Sequence, residues 1–390
     1  MQQTSKLSNK DIPMEVLTDI LSRLAVKSLM RMRSMSKWVC RLIDSKEFMN
    51  QHLCQSLSSK TNRTLVLGGL GVYSIDLESL DKALVLKPPH RCSDISNSCN
   101  GLFLVLGESP YLWNPYTRFH KDIPPIPLDD SPSPPSSFTV LGFGFDALSD
   151  DYKVLNVLHF RGLDFRWLSS SAYVYSLRSN AWRKIRDFPY QLHCKRVWRV
   201  YLSGALHTIV FNHYSGLDPG IMAFDFASEE HRKLPLPHIP VKDFNPVGLD
   251  VLDGYLCVLN SLKKHRIDVW IMKEYGNKES WVKLLSIAPP AIERYSTLSP
   301  LVFSKEGDKV LLNCDDKWLV WYDLINKTST NVPVEGLPFI FNAEVSVQSL
   351  LPFDDASVAD KVRIQCSKQD KRRFRKKRDE FLSEGFKLVL

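Results

Sequence analysis

The chain has 390 residues, is 44% hydrophobic with a mean hydropathy of -0.17, and carries a formal charge of +8. That is enough apolar material for one large core or two modest ones, yet no run of 18 or more apolar residues occurs, which excludes a helical membrane span. Residues 361–390 hold eleven Lys and Arg against four Asp and Glu, a balance of +7 that leaves about +1 for the rest, so the basicity belongs to a tail and argues against a nucleic-acid-binding fold.

The chain starts MQQTSKLSNKD, with no apolar stretch of the kind a secretory leader needs. The eight cysteines (40, 54, 92, 99, 194, 257, 314 and 366) include no CxxC pair. That pattern suits reduced thiols and predicts a cytoplasmic or nuclear protein. In IPMEVLTDILSRL, residues 12–24, the apolar positions Ile12, Val16, Leu17, Ile20, Leu21 and Leu24 fall on one face of a helix, with Asp11 as N-cap and Pro13 in the first turn. A second helix, capped by Ser28, is predicted to bury Leu29, Met32, Met35, Val39, Leu42 and Ile43. A third starts at Asp44 or Ser45 and buries Phe48 and Leu53. Three short helices make a unit too small to be stable alone, so it needs a partner in the chain or outside it.

From about residue 63 the texture becomes all-β, with apolar runs of four to eight residues broken by Gly, Pro, Asn, Asp and Ser. A loose repeat joins an aromatic strand, an Asp or Asn turn, and a second strand with Trp or a basic residue. Its instances begin at residues 72, 111, 173, 222, 268 and 320. Spacings of roughly 40 to 60 residues are those of propeller blades, and each unit reads as the outer hairpin of a four-stranded blade. EVSVQSLLPF, 344–353, is placed to close the ring on the first blade, removing the exposed edges. The organisation expected is therefore a helical unit over 1–57, a propeller of six blades over 58–355, and a basic tail over 356–390. PPIPLDDSPSPPSSF, 124–138, reads as a surface loop.

Signs of catalysis are missing from this pattern. There is no GxSxG, HExxH or Walker A sequence, and the GxG of LGFGFD leads into strand–turn–strand where a dinucleotide site needs a helix. His193 and Cys194 are adjacent, so on a strand they point to opposite faces. His207 and His213 lack a third ligand. Asp225 and Asp323 occupy matching places in the repeat and read as turn caps. No metal, cofactor or small-molecule substrate is implied.

Residues 12–53 resemble an F-box, in Ile12-Pro13, Ile20-Leu21, Ser22-Arg23-Leu24, Val26-Lys27-Ser28-Leu29, Ser36-Lys37 and Leu42-Ile43. Ala25 replaces the proline usual after Arg-Leu, and Trp38 directly follows Lys37. The β region resembles the kelch-like, F-box-associated region of plant F-box proteins, in SCNGL (98–102), WNPYTR (113–118), GFGFD (142–146) with DDYKV (150–154), LDGYLCV (252–258) and VWIMKEYGNKESW (269–281). IPMEVLTDI, VWIMKEYG and KKRDEFLSEGFKLVL narrow the likeness to members that hold plant immune receptors of the nucleotide-binding leucine-rich-repeat (NLR) type for ubiquitination, restraining defence. The resemblance implies a non-catalytic substrate receptor of an SCF ubiquitin ligase, with Skp1 as direct partner and a cullin and a RING protein beyond it. It implies that Ile12, Pro13, Val16, Leu17, Ile20, Leu21, Leu24, Val26 and Leu29 meet Skp1. The other class of reading is a propeller that binds proteins outside any ligase.

Propeller interfaces are built from loops at one end, and Trp, Tyr and Arg dominate interface energy. The loops HFRGLDFRW and YQLHCKRVWR therefore nominate Arg161, Phe165, Arg166, Trp167, Tyr190, Arg196 and Arg199 for client binding. In the tail, Lys371, Arg372, Arg373, Arg375, Lys376, Lys377 and Arg378 form a candidate nuclear-import signal.

Overall fold

A computed structural model describes residues 13–127, 136–161, 167–188, 197–210, 220–240, 243–262, 266–288, 292, 295 and 297–353. Four helices open it: α1 (Met14–Ser22), α2 (Val26–Met32), α3 (Lys37–Ile43) and α4 (Lys46–Ser59). The expected middle helix is thus two helices. Ser36 caps α3 by accepting from the Val39 amide at 3.1 Å, which ends one helix and starts the next within a single turn. Ala25, not Ser28, stands at the start of α2, and its φ of -62° is the angle that proline imposes. Of the two starts that the sequence offers, Ser45 caps α4 through the Phe48 amide, and Asp44 ends α3. Pro13 precedes α1, and Asp11 lies outside the described residues.

Six blades follow. Blade 1 is β25 (Phe341–Val347), β1 (Arg63–Gly69), β2 (Val72–Asp76) and β3 (Leu84–Leu86). Blade 2 is β4 (Asp94–Cys99), β5 (Leu102–Leu106), β6 (Tyr111–Trp113) and β7 (His120–Asp122). Blade 3 is β8 (Ser136–Asp146), β9 (Asp151–Arg161), β10 (Trp167–Ser176) and β11 (Ala181–Lys184), with β12 (Val197–Trp198) added parallel inside β8. Blade 4 is β13 (Val200–Leu202), β14 (Ala205–Val210), β15 (Gly220–Asp225) and β16 (His231–Leu234). Blade 5 is β17 (Pro246–Leu252), β18 (Tyr255–Leu262), β19 (Arg266–Met272) and β20 (Trp281–Ile287). Blade 6 is β21 (Leu298–Phe303), β22 (Lys309–Cys314), β23 (Trp318–Asp323) and β24 (Ser329–Val332). The six repeat units are the six outer hairpins, and β25 closes the ring against β1 over seven residue pairs from Arg63↔Val347 to Gly69↔Phe341.

The repeat's residue types have local jobs. Asp225 Oδ1 accepts the Ala227 and Ser228 amides at 2.9 Å, and Asp323 Oδ1 accepts those of Ile325 and Asn326 at 2.9 and 2.7 Å. These carboxylates cap turns. The tryptophans stitch blades together: Trp182 Nε1 of blade 3 donates to the Pro124 carbonyl beyond blade 2, and Trp281 Nε1 of blade 5 to that of Pro235 beyond blade 4. The GxG of LGFGFD is packing. A Cβ on Gly144 would lie 2.2 Å from the Phe226 ring of blade 4, so only glycine lets the blades meet.

Turns between the two innermost strands gather at one end of the ring, and the helices dock there. Leu21, Val26, Leu29, Ile43, Phe48, Met49 and Leu53 share a core with Cys99 and Leu102 of blade 2, with Val347 at the end of β25, and with Leu350, Leu351 and Phe353 beyond it. Polar contacts fix the seat. Gln348 accepts from the Val26 amide at 3.2 Å, and Asp253 in the β17–β18 turn takes Lys60 Nζ and Arg63 Nη1 at 2.9 Å each. His52, buried on α4, bonds the Leu24 carbonyl at 2.8 Å.

Two of the family-like motifs hold the same exit strand. In SCNGL, Asn100 and Gly101 have φ of 54° and 81°, the doubly positive geometry of a tight hairpin turn. A Cβ on Gly101 would sit 2.5 Å from the Val347 carbonyl oxygen. In WNPYTR, the fully buried Asn114 donates to the carbonyls of Ser349 and Leu351 at 3.0 Å each while its own Oδ1 accepts the Tyr116 amide. Replacing Asn114 by Ala strands two buried carbonyls at the point where propeller and helices join. The expected loss is about 3 kcal/mol of unfolding free energy, read by chemical denaturation, with the helical and β signals falling together.

Candidate partner surfaces at the two ends of the propeller

At the helix end, α1 carries two apolar stripes. Leu17, Leu21 and Leu24 turn inward, Leu21 at 1% exposure, while Val16 and Ile20, a turn apart, stand 48% and 46% exposed beside exposed Pro13 and Met14. Met35, expected in the core, is 76% exposed, and Trp38 at the start of α3 is exposed as well. Of the nine residues nominated for the adaptor, Ile12 lies outside the described residues and Leu17 and Leu24 are half-buried. Leu21, Val26 and Leu29 are a correction. They are fully buried in the protein's own core and are not available to a partner, because a unit this small must use its best apolar residues to hold itself and its seat on the propeller. Periodicity could not separate the stripes, since both are apolar. Met14, Met35 and Trp38 are the exposed residues that it missed.

At the other end, the nominated loops do leave together. Ser136, Arg161 and Trp167 mark one end of blade 3 through the pairs Ser136↔Arg161 and Trp167↔Arg161, and β11 runs from Ala181 toward that same end. This end is opposite the helices. Phe165, Arg166, Tyr190 and Arg196 lie outside the described residues, and Trp167 is described as a strand residue only. Arg161 is half-buried with its guanidinium 4.5 Å over the Phe138 ring, which stacks in turn on His159. A patch on blades 1 and 6 went unseen in the sequence. Leu70 in the β1–β2 turn is fully exposed, Phe339 81% and Ile340 54% exposed, and Lys317 Nζ stands 5.8 Å over the Phe339 ring. Three such side chains form an exposed apolar patch. They come from sequence positions 270 residues apart, so no local pattern could announce them.

Arg199 is the second correction. It points into the channel lined by the innermost strands and pairs with Asp94 of β4, which also accepts from Asn342 at 3.0 Å. It is a structural cation and not a surface anchor. Asp250 of β17 and Glu344 of β25 share this channel, each keeping some accessible surface but walled in by protein. Burial pushes the Asp250 carboxyl up to about 7, aided by repulsion from Asp316 and opposed by Ser299 and Arg199. Burial likewise lifts Glu344 to about 8, opposed by the Ser98 amide and Arg199 and aided by Asp250. One arginine faces three carboxyl groups, so two of them keep their protons to near neutrality.

Among the other motifs, Lys153 of DDYKV bonds Asp146 of GFGFD at 2.8 Å and Glu229 of blade 4 at 2.9 Å. These residues line a cleft of about 740 Å³ with Arg183, Arg186 and His231. The charges at its base thus tie blade 3 to blade 4. His207 is a core residue bonding Tyr275 at 2.6 Å, with burial lowering it to about 4. His193, Cys194, His213 and the basic run at 371–378 lie outside the described residues.

Comparison with known proteins fits this geometry. Residues 73–371 match the family described as F-box associated beta propeller domain. The chain is 32% identical to the F-box protein CPR1 of Arabidopsis thaliana, over 97% of this chain and 99% of that protein. It is 28% identical to the F-box protein At4g22390 of the same plant, over 97% and 100%. A solved oligogalacturonate lyase from Vibrio parahaemolyticus aligns over 70% of this chain and 74% of its own at 9% identity and a TM-score of 0.42, a likeness too loose to bear on activity.

The channel sets a pH dependence. Folded-state values of about 7 for Asp250 and about 8 for Glu344 lie above the ordinary 3.8 and 4.5. The folded protein therefore holds protons that the unfolded chain has lost. This contribution is complete at acid pH and disappears as pH rises through 7 and 8. Asp250→Asn and Glu344→Gln should each flatten the fall in melting temperature between pH 5 and 9, and each should melt above the parent at pH 9.

Proposed function

The chain belongs to the F-box associated β-propeller family, and from that premise we propose that it is the substrate-recognition subunit of an SCF-type E3 ubiquitin ligase. The observation that carries the reading is an apolar stripe left open on α1, on a helical unit seated rigidly at one end of a closed ring. Skp1 takes Pro13, Val16 and Ile20, with Met14, Met35 and Trp38 beside them, and links the chain to a cullin and a RING protein. A protein client occupies the opposite end.

The role is proximity. Holding a client near a charged ubiquitin-conjugating enzyme raises the effective concentration of its lysines, and the chain itself does no chemistry. The solid seating supports this use, because slack between helices and ring would dilute that concentration. Client contacts come from the patch of Leu70, Phe339 and Ile340 and from the blade 3 loops. We take NLR-type plant immune receptors as the client class, on the likeness of the opening, blade 5 and terminal segments to members that restrain defence. Both cytoplasm and nucleus are proposed as the sites of action.

Val16→Asp with Ile20→Asp changes only exposed positions, so the fold should survive by circular dichroism. Each apolar side chain buried in an interface is worth roughly 1.5–3 kcal/mol, so affinity for purified Skp1 should fall at least about 100-fold. Parent-like binding by this variant would remove the open stripe as the Skp1 surface. Leu70→Asp with Phe339→Asp should keep Skp1 yet abolish ubiquitination of a co-expressed NLR receptor; loss of both would point to misfolding. Replacing the basic residues within 371–378 by Ala should shift a fluorescent fusion from nucleus to cytoplasm, and an unchanged distribution would strip the tail of an import role.

A further inference from the structure

On the outer edge of blade 2, toward the end opposite the helices, three side chains of metal-ligating type converge. His120 and Asp122 lie two apart on the outermost strand β7, and two residues apart on a strand means the same face. Both are exposed. His90 arrives from the loop between β3 and β4 and is exposed as well. One ligand atom from each lies within 4.8 Å of the others, and this is the group of its kind among the described residues.

We propose that His90, His120 and Asp122 bind a divalent transition metal of the zinc class. The spacing favours a metal over a hydrogen bond. His90 Nε2 and Asp122 Oδ1 stand 3.4 Å apart, long for a hydrogen bond. With ligand bonds of about 2.0–2.1 Å, the edge of a tetrahedral site is about 3.3 Å. Closing the third corner needs only a side-chain movement of an exposed histidine.

The loop histidine is held ready for this. The buried Tyr111 donates its hydroxyl to the His90 carbonyl at 3.1 Å, and its ring meets the His90 ring edge-on at 5.3 Å and 88°. The rings of His90 and His120 lie 5.2 Å apart at 84°. Tyr111 pairs directly with Asp122 across β6 and β7, so one buried aromatic residue sets the place of two ligands. Two imidazoles select zinc, nickel or copper over magnesium or calcium. Three protein ligands leave a fourth position for water or for a donor from another protein.

The test is calorimetric titration of zinc chloride into the EDTA-stripped full chain. One site of micromolar affinity is expected, weakened roughly 100-fold in His90→Ala, His120→Ala and Asp122→Asn, since losing a ligand outweighs losing an outer-shell partner. Cobalt loaded in place of zinc should give d–d bands without thiolate charge transfer, which sets the site apart from the cysteines. All three positions are exposed, so melting temperatures should match the parent, and a variant that melts early leaves two others to decide. Parent-like uptake by the variants, or a cobalt spectrum dominated by thiolate, would overturn the site.

Discussion

Everything in this protein rests on the pairing of β25 with β1, strands that begin 278 residues apart in the chain. Sheet edges are unpaired rows of donors and acceptors, and β25 covers the inner edge of β1 so that blade 1 is completed by strands from both ends of the ring. The same ladder also anchors the helices. β1 is entered from α4, and the residues leaving β25 run straight into the helical core through Leu350, Leu351 and Phe353. Breaking the closure would open the ring and unseat the helices at once.

That arrangement explains why the family-like motifs sit where they do. SCNGL and WNPYTR lie at the helix end, where the chain leaving β25 meets the helical core. Gly101 clears space for the end of β25, and Asn114 bonds two carbonyls of the segment that follows it. GFGFD and DDYKV join blade 3 to blade 4 through Gly144, Asp146 and Lys153. These motifs maintain a rigid body, and the residues free to vary with a client lie in the loops and the exposed patch at the other end. The opposition of the two ends follows from strand connectivity, since alternate turns of a four-stranded blade must emerge on opposite sides.

The channel works against stability in part. Asp94, Asp250 and Glu344 face one arginine, and burial makes the ionisation of Asp250 and Glu344 costly. Protonation relieves that cost. Polar groups at the centre of the ring give the innermost strands a hydrogen-bonded register, seen where Ser98 meets Ser346 at 2.8 Å and the Ser98 amide meets Glu344 at 3.1 Å.

What the sequence alone determined was the short-period β repeat, while in the helical unit it merged α2 and α3 into one helix. Alternation and turn residues gave the six outer hairpins and the closing strand, because neighbouring strands are built from neighbouring residues. The same local logic offered Asp44 and Ser45 for the start of α4, of which Ser45 is the cap, and assigned Asp225 and Asp323 to turns. Only the tertiary structure decided which apolar stripe of α1 faces in, because Leu21 and Ile20 are alike until a propeller covers one of them. It also decided that Arg199 neutralises Asp94, 105 residues away. Leu70 joins Phe339, and His90 joins His120, for the same reason. Such encounters depend on how the ring closes, and closure is set by contacts between the chain's distant parts, which local pattern does not carry.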